Sequence, residues 1–157
     1  MRLFYRNLYQ HDIHAWTQQT AELLKQRRFQ EIDVEHLIEE LESMVRRDRQ
    51  ELVSRLKILL GHLLKWEHQP THRCSYWLGA ILEQRLRIRD LLEDCPSLKP
   101  CLAQAAVAAF ADGVYLASKE TGLPLENFPE RWPHPLTVLL EDEWLPGDAP
   151  SAATRSR

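Results

Sequence analysis

Residues 33–70 read DVEHLIEELESMVRRDRQELVSRLKILLGHLLKWEHQP and form the longest periodic segment of the chain. Apolar residues recur there at steps of three and four, which places them on one face of an α-helix. Asp33 is suited to cap its start, and Pro70 ends it because a residue before proline disfavours helical backbone. The pattern therefore predicts one long helix. Its apolar stripe comprises Val34, Ile38, Leu41, Val45, Leu52, Leu56, Leu59, Leu63 and Trp66.

Shorter helical segments flank the long one. The spacing predicts a first helix over residues 12–28 with Asp12 as its cap, and another over residues 77–94. A further helix is expected to begin with Ser97 as its cap and to stop at Gly122, which suits a left-handed C-cap. Residues 135–143 are expected to form a last short helix.

Length and periodicity indicate one all-α domain. A chain of 157 residues can bury its own core, and the apolar spacing is helical almost throughout. We expect residues 1–146 to form a single domain, an irregular helical bundle built around one long central helix. A disordered tail should follow over residues 147–157. The short turn at Pro70 should create an antiparallel helical hairpin. Its predicted register brings Trp66 against Trp77 and His62 opposite Gly79 and Ala80.

Cysteine usage and hydropathy indicate a cytoplasmic protein without a membrane span. Cys74, Cys95 and Cys101 are odd in number and lack the CxxC spacing of zinc or redox sites. The N-terminus shows no signal-peptide core, and no window approaches the ~20 consecutive apolar residues of a span. We therefore expect reduced thiols and no membrane partner.

Charge is unevenly distributed along the chain. The net charge is -3, yet residues 45–90 hold ten basic and five acidic side chains. A basic middle segment of this kind can bind nucleic acid or another acidic partner. It is more often a solvated helical face, and no exposed aromatics or glycine-rich loops are interleaved with the arginines. Nucleic acid is thus a possible partner that the pattern does not favour.

Residue types that carry chemistry are present but do not form a known motif. Glu35, Glu39 and Glu42 lie at helical spacing beside His36, as in di-metal bundles, but the Glu-x-x-His signature is missing. The sequence has no glycine-rich phosphate loop and no serine or cysteine in a nucleophile elbow. We expect no catalytic residues, no metal and no cofactor.

Five residues are candidates for a binding site. His62 and Trp66 lie on the apolar stripe, Trp77 follows the Pro70 turn, and Arg85 lies on the apolar face of its helix. A buried arginine needs partners, so Arg85 marks either a structural ion pair or a binding site. Arg49 lies where the stripe is interrupted, and we expect it to pair with Asp12, Glu93 or Asp94.

Several short motifs carry a resemblance to a known family. They are Leu37-Ile38-Glu39-Glu40-Leu41-Glu42 with Met44, His62-Leu63-Leu64-Lys65-Trp66 with Gln69-Pro70, Trp77 with Gln84-Arg85, Pro96-Ser97-Leu98, and Thr121-Gly122-Leu123 with Phe128-Pro129. In order and spacing they resemble the bacterial family called domain of unknown function 29, over about residues 9–146. The chain departs from that pattern at Val45, where glycine is common, and at residues 132–134. The resemblance implies a small all-helical bacterial protein, and it implies no reaction and no catalytic residues.

Two functional classes stay open. The first is a non-enzymatic module that binds a protein partner or a second copy of itself. The second is a nucleic-acid binder or an enzyme that uses the basic middle segment with His62 and Arg85. The first is favoured because residue types that carry catalysis are not clustered. The first helix is also thin cover for the apolar face between Val34 and Met44, so either another chain or the helix that stops at Gly122 could complete it.

Overall fold

The computed structural model describes residues 8–148, and residues 1–7 and 149–157 lie outside the described part. Its long helices are α1 (Ile13–Lys25), α2 (Val34–His68), α3 (Ser75–Asp94) and α4 (Leu102–Thr121). Short 3₁₀ segments cover Phe29–Glu31, Pro70–His72, Pro96–Cys101, Leu125–Asn127 and Leu136–Val138. Residues 8–148 contain no β-strand, which confirms the all-α class.

The chain forms two compact units whose boundary falls inside α2. Unit 1 extends to Arg47 and unit 2 starts at Asp48. The single domain predicted over residues 1–146 stays a prediction. Most of the predicted tail, residues 149–157, lies outside the described residues, whereas Gly147 and Asp148 form the end of the described chain.

The ends of α2 confirm both signals read from the sequence. The amide of His36 lies 3.4 Å from Oδ1 of Asp33, and the amide of Leu37 donates to the Asp33 carbonyl at 3.0 Å. At the other end, Gln69 has left helical backbone, with φ −129° and ψ 65°, just before Pro70. Local sequence chemistry thus determines where this helix begins and ends.

Unit 1 is built on α1. Asp12 caps it as predicted, since its Oδ1 accepts a hydrogen bond from Ala15 N at 2.9 Å. The helix ends at Lys25 rather than at residue 28, because Arg27 turns into the left-handed region with φ 55°. The buried side chains of α1 are Trp16, Thr20 and Leu23.

Unit 2 contains the predicted antiparallel hairpin. Near the turn, Nζ of Lys65 lies 4.8 Å from the ring centre of Trp77, and at the far end Sγ of Cys95 lies 3.8 Å from Oδ2 of Asp48. The end of α2 thus contacts the start of α3, and the middle of α2 contacts the residue that follows α3, so the two helices run in opposite directions.

The predicted register within that hairpin is wrong in detail. No ring contact between Trp66 and Trp77 occurs among the ring pairs of residues 8–148. Instead, Lys65 lies over the ring of Trp77 and Arg73 lies over the ring of Trp66. A Cβ at Gly79 would have no atom within 4 Å, so Gly79 does not face His62. Helix α3 is rotated relative to the expectation because α4 takes part of the space beside α2.

Helix α4 packs closely against α2 through two glycines. A Cβ at Gly113 would lie 3.3 Å from Gly61 N and 3.3 Å from the Lys57 carbonyl oxygen. Gly122, with φ 75°, ends α4 in the left-handed conformation that the sequence predicts. Small residues on α4 thus permit the close approach expected from its alanine-rich face.

Two predicted features are wrong. Ser97 does not cap α4, which begins at Leu102 after the 3₁₀ segment, and no side chain caps it. Pro100 has no N–H and restricts the residue before it, so regular α-helical hydrogen bonding starts only afterwards. The helix predicted over residues 135–143 is also shorter, with one 3₁₀ turn at Leu136–Val138.

Candidate functional site

Arg85 is fully buried and is bound by backbone carbonyls. Its Nε donates to the Leu139 oxygen at 2.9 Å and its Nη2 to the Trp144 oxygen at 2.9 Å, while Nη1 lies 3.4 Å from the Asp142 oxygen. Burial lowers the pKa of Arg85. The guanidinium therefore anchors residues 139–144, which we call the C-terminal segment, to α3. Carbonyl oxygens take the place of the carboxylate that an ion pair would supply.

Arg89 adds a second anchor one turn further along α3. Its Nη1 donates to the Leu140 carbonyl at 2.8 Å, and both terminal nitrogens contact the Asp142 carboxylate at 2.9 and 3.0 Å. The hydrogen bonds from Arg89 lower the pKa of Asp142. Since these carbonyls face guanidinium groups, residues 139–144 do not continue the short helix.

His62 and Lys65 lie in the part of α2 that is covered on every side. Residues 59–65 are all buried, so polar side chains there need partners inside unit 2. Nδ1 of His62 lies 2.9 Å from the Ile58 carbonyl of its own helix, and burial lowers the pKa of His62. Lys65 forms an ion pair with Glu120 of α4 and lies over the ring of Trp77.

Lys65 was missed by reading the sequence. It lies between Leu64 and Trp66, and its partner is not the neighbouring Glu67 but Glu120, which is 55 positions away. Trp66 itself is half-buried and carries the guanidinium of Arg73 at 5.1 Å from its ring centre. Nε of Arg73 also donates to the Trp66 carbonyl at 2.8 Å, which holds the turn after α2 against the helix end.

Arg49 is exposed and lines an open cavity of about 330 Å³ between α2 and α4. The cavity is lined by Leu52, Val53, Cys101, Gln104, Ala105 and Ala108 besides Arg49. Within unit 2, Arg49 pairs with neither Glu93 nor Asp94, so that part of the hypothesis is wrong. Its pairing with Asp12 stays a prediction.

The acidic row of α2 does not gather metal ligands. Glu35, Glu39 and Glu42 are exposed side chains of unit 1. Among residues 8–148, no group of three His, Cys, Asp or Glu side chains is arranged to hold a metal ion. The three cysteines are free thiols. Burial raises the pKa of Cys95, so a smaller fraction of this thiol is ionised at neutral pH.

The N-terminal half of α2 presents an exposed apolar face. Ile38 is 50% and Leu41 56% exposed, whereas Leu56, on the same stripe, is 0% exposed. We call this exposed set the α2 apolar surface; its members are Val34, Ile38, Leu41, Met44 and Val45. One helix face is thus completely buried in unit 2 and half exposed in unit 1.

Polar contacts occupy the other side of α2 in unit 1. The Tyr9 hydroxyl donates to Oε1 of Glu40 at 2.8 Å, and its ring lies 4.0 Å from that of His36. The hydrogen bond to Glu40 raises the pKa of Tyr9 to about 12. Oδ2 of Asp33 lies 2.6 Å from Nδ1 of His36. These contacts fix the opposite side of the helix and leave the α2 apolar surface uninvolved.

One segment, Pro96–Thr121, is long and apolar enough to cross a membrane by length and composition alone, with a mean hydropathy of 1.4. Its inner face is packed against the unit 2 core through residues such as Ala109 and Phe110. Core helices of soluble proteins commonly meet the same criterion, so this is weak evidence for a span.

Comparison with known proteins gives one family. The model described as Domain of unknown function DUF29 matches residues 8–145. No curated protein and no solved structure matches the chain. The family match spans most of the sequence and agrees with the resemblance carried by its motifs, so the chain belongs to the DUF29 family.

Proposed function

We propose that this protein is a non-enzymatic interaction module that binds another polypeptide through the α2 apolar surface. The observation that supports this most directly is the change in exposure along one helix face. Exposed apolar area costs free energy, about 25 cal/mol per Å², which burial against a partner would recover. Five neighbouring large side chains offer on the order of several hundred Å², a size typical of interaction sites.

The polar residues of unit 2 support a structural role more than a chemical one. Arg85 and Arg89 bind the C-terminal segment, Lys65 pairs with Glu120, and His62 bonds to its own helix. A general acid or base needs a free position facing a substrate, and these groups are used in packing. An enzyme built on His62 and Arg85 therefore has less support.

Binding of nucleic acid by the basic middle segment also has less support. Several of its cations are already paired, including Arg47 with Glu40 and Arg55 with Glu51. Nucleic-acid binding surfaces instead present clustered free cations, often with stacking aromatics.

We further propose a cytoplasmic location, which the three free thiols favour because thiols persist in reducing compartments.

Site-specific photocross-linking in the native cells tests this function. A photoreactive phenylalanine analogue at Leu41 should give a protein adduct, because Leu41 lies in the centre of the surface. The matched control places it at Val107, which is 78% exposed on α4 outside the surface. Adding Ile38→Asp should abolish the Leu41 adduct. Equal adducts at both positions, or none at Leu41, would contradict the proposed surface.

A further inference from the structure

We infer that the cavity between α2 and α4 is a binding site for a small amphiphilic anion, a carboxylate with a short apolar body. The inference goes beyond the proposed function, because all residues of the cavity belong to unit 2 and none belongs to the α2 apolar surface. It is supported by the origin of the cavity, by its size and by the chemistry of its lining.

The cavity lies where α2 and α4 separate after their close crossing. A Cβ at Gly113 would lie 3.3 Å from Gly61 N, so the two backbones touch there. Helices that cross at an angle move apart on either side of the contact. Val53 and Ala105 each precede the crossing by about two turns, roughly 12 Å along the helix axis. At that level α4 contributes the small side chains of Ala105 and Ala108, which leave the space between the helices unfilled.

The volume of the cavity suits a small metabolite and is too small for a nucleotide or a peptide. It measures about 330 Å³, at the lower end of the ~300–1,000 Å³ that is common for ligand sites. One water molecule takes up ~30 Å³ of the liquid, so the cavity holds on the order of ten non-hydrogen atoms. Because the cavity is open, such a ligand can enter without movement of either helix.

The floor of the cavity is apolar and belongs to the core of unit 2. Leu52 is 1% and Ala105 8% exposed, and the half-buried Val53 packs against the same core. Core packing fixes the positions of these side chains. Contact with them would remove the apolar surface of a ligand from water, which is favourable. The floor therefore selects a ligand with an apolar body.

The polar groups of the cavity select a negative charge. None of the seven lining residues is acidic, and Arg49 and Gln104 are both exposed at the cavity. The ion pairs within residues 48–148 join other side chains, and none of them uses Arg49. A guanidinium binds a carboxylate through two parallel hydrogen bonds, and the side-chain amide of Gln104 can donate a third. A cation of the same size would be repelled by Arg49.

Titration with octanoate, followed by nuclear magnetic resonance of the full chain, tests the site. Octanoate has about ten non-hydrogen atoms, and we expect a dissociation constant of about 0.1–1 mM, with the largest shifts at the amides of Leu52, Gln104 and Ala105. Octylammonium, which has the same alkyl chain and the opposite charge, should bind at least about tenfold more weakly. Equal binding of the two probes, or no octanoate binding up to about 10 mM, would overturn the site.

Two pairs of variants separate the charge of the site from its shape. Arg49→Gln should weaken octanoate binding about tenfold, whereas Arg87→Gln, at an exposed position of α3, should not change it. Ala108→Phe should fill the cavity and abolish binding, whereas Ala103→Phe, exposed on α4 outside the cavity, should not. All four positions are exposed, so the circular dichroism of each variant should match that of the wild type. Unchanged affinity in Arg49→Gln or in Ala108→Phe contradicts the inference.

Alkylation of Cys101 tests the charge of the cavity in the absence of octanoate. Cys101 lines the cavity, whereas Cys74 is an exposed thiol outside it. Iodoacetate and iodoacetamide attack the same thiolate, so the ratio of their rates is independent of the ionised fraction of the thiol. We expect this ratio at Cys101 to fall about fivefold in Arg49→Gln, because a nearby cation attracts only the anionic reagent.

Cys74 serves as the internal control of that experiment. Its rate ratio should be the same in the wild type and in Arg49→Gln. Octanoate should slow the alkylation of Cys101 and leave that of Cys74 unchanged, because only Cys101 lines the cavity. A rate ratio at Cys101 that does not respond to Arg49→Gln, or alkylation of Cys101 that octanoate does not slow, overturns the inference.

Discussion

Gly61 of α2 and Gly113 of α4 cross so closely that a methyl group at either position would be tighter than ordinary van der Waals contact. A Cβ at Gly61 would lie 3.2 Å from the Gly113 carbonyl oxygen, and a Cβ at Gly113 would lie 3.2 Å from Cβ of Leu60. At Gly113 two further contacts, 3.3 Å to Gly61 N and 3.3 Å to the Lys57 carbonyl oxygen, are to backbone atoms, so the helices would have to separate by a few tenths of an ångström to admit a methyl group. This crossing sets the distance at which the core of unit 2 packs.

Gly113→Ala should destabilise unit 2 despite the higher helix propensity of alanine. Overpacking against backbone costs about 1–3 kcal/mol, and alanine recovers at most ~1 kcal/mol. The matched control is Gly79→Ala, where no atom lies within 4 Å and the gain should be about 0.5–1 kcal/mol. Urea denaturation followed by tryptophan fluorescence measures both, since four of the five tryptophans lie in unit 2. A stabilised Gly113→Ala variant would disprove the tight crossing.

Arg85→Met should release the C-terminal segment from α3. The change leaves buried carbonyls of Leu139 and Trp144 without a donor, at roughly 1–3 kcal/mol for each. Limited proteolysis should then cut between residues 136 and 148 much faster than in the wild type. Arg87→Met, at an exposed position of the same helix, serves as the control and should leave the cleavage rate unchanged.

Replacing Glu120 should lower the free energy of unfolding more than replacing its ion-pair partner Lys65. Glu120→Gln removes the counter-charge of a buried ammonium and should destabilise by about 1–2 kcal/mol, less than a fully buried pair because Glu120 is 44% exposed. Lys65→Met removes the buried charge itself and should be neutral within about 1 kcal/mol. The double variant should resemble Lys65→Met alone. Equal, additive losses in the denaturation experiment would refute the asymmetry.

His62 should make unit 2 less stable in acid. Burial, aided by the charge of Lys65, lowers the pKa of His62 in the folded protein below the ordinary value of about 6.5. As pH falls through 6.5, the unfolded chain binds a proton that the folded chain does not, so the free energy of unfolding decreases. His62→Gln should lose less stability than the wild type between pH 7.5 and 5.5. Identical losses in urea titrations would contradict this assignment.

The sequence by itself determined the local features of the fold. The three- and four-residue spacing defined α2, and Asp33, Asp12, Pro70 and Gly122 marked helix ends through chemistry confined to a few neighbouring residues. The short Pro70 connection was enough to predict an antiparallel hairpin. The register of that hairpin was not predictable, because it depends on how α4 shares the space beside α2.

Only the tertiary structure decided which polar groups meet. Lys65 and Glu120 are 55 positions apart, and Arg85 binds carbonyls that lie more than 50 positions further along the chain. Nothing near these residues in the sequence indicates their partners. The carbonyl ligands of Arg85 also explain why residues 135–143 do not form the helix that their local pattern predicts.

The apolar stripe of α2 combines both kinds of information. Its periodicity showed that Val34, Ile38 and Leu41 share a face with Leu56 and Leu63, because residues three or four apart lie on one side of a helix. Whether that face is covered depends on segments far away in the chain. Helices α3 and α4 bury it completely from Leu52 to Leu63, whereas its members from Val34 to Val45 stay half exposed.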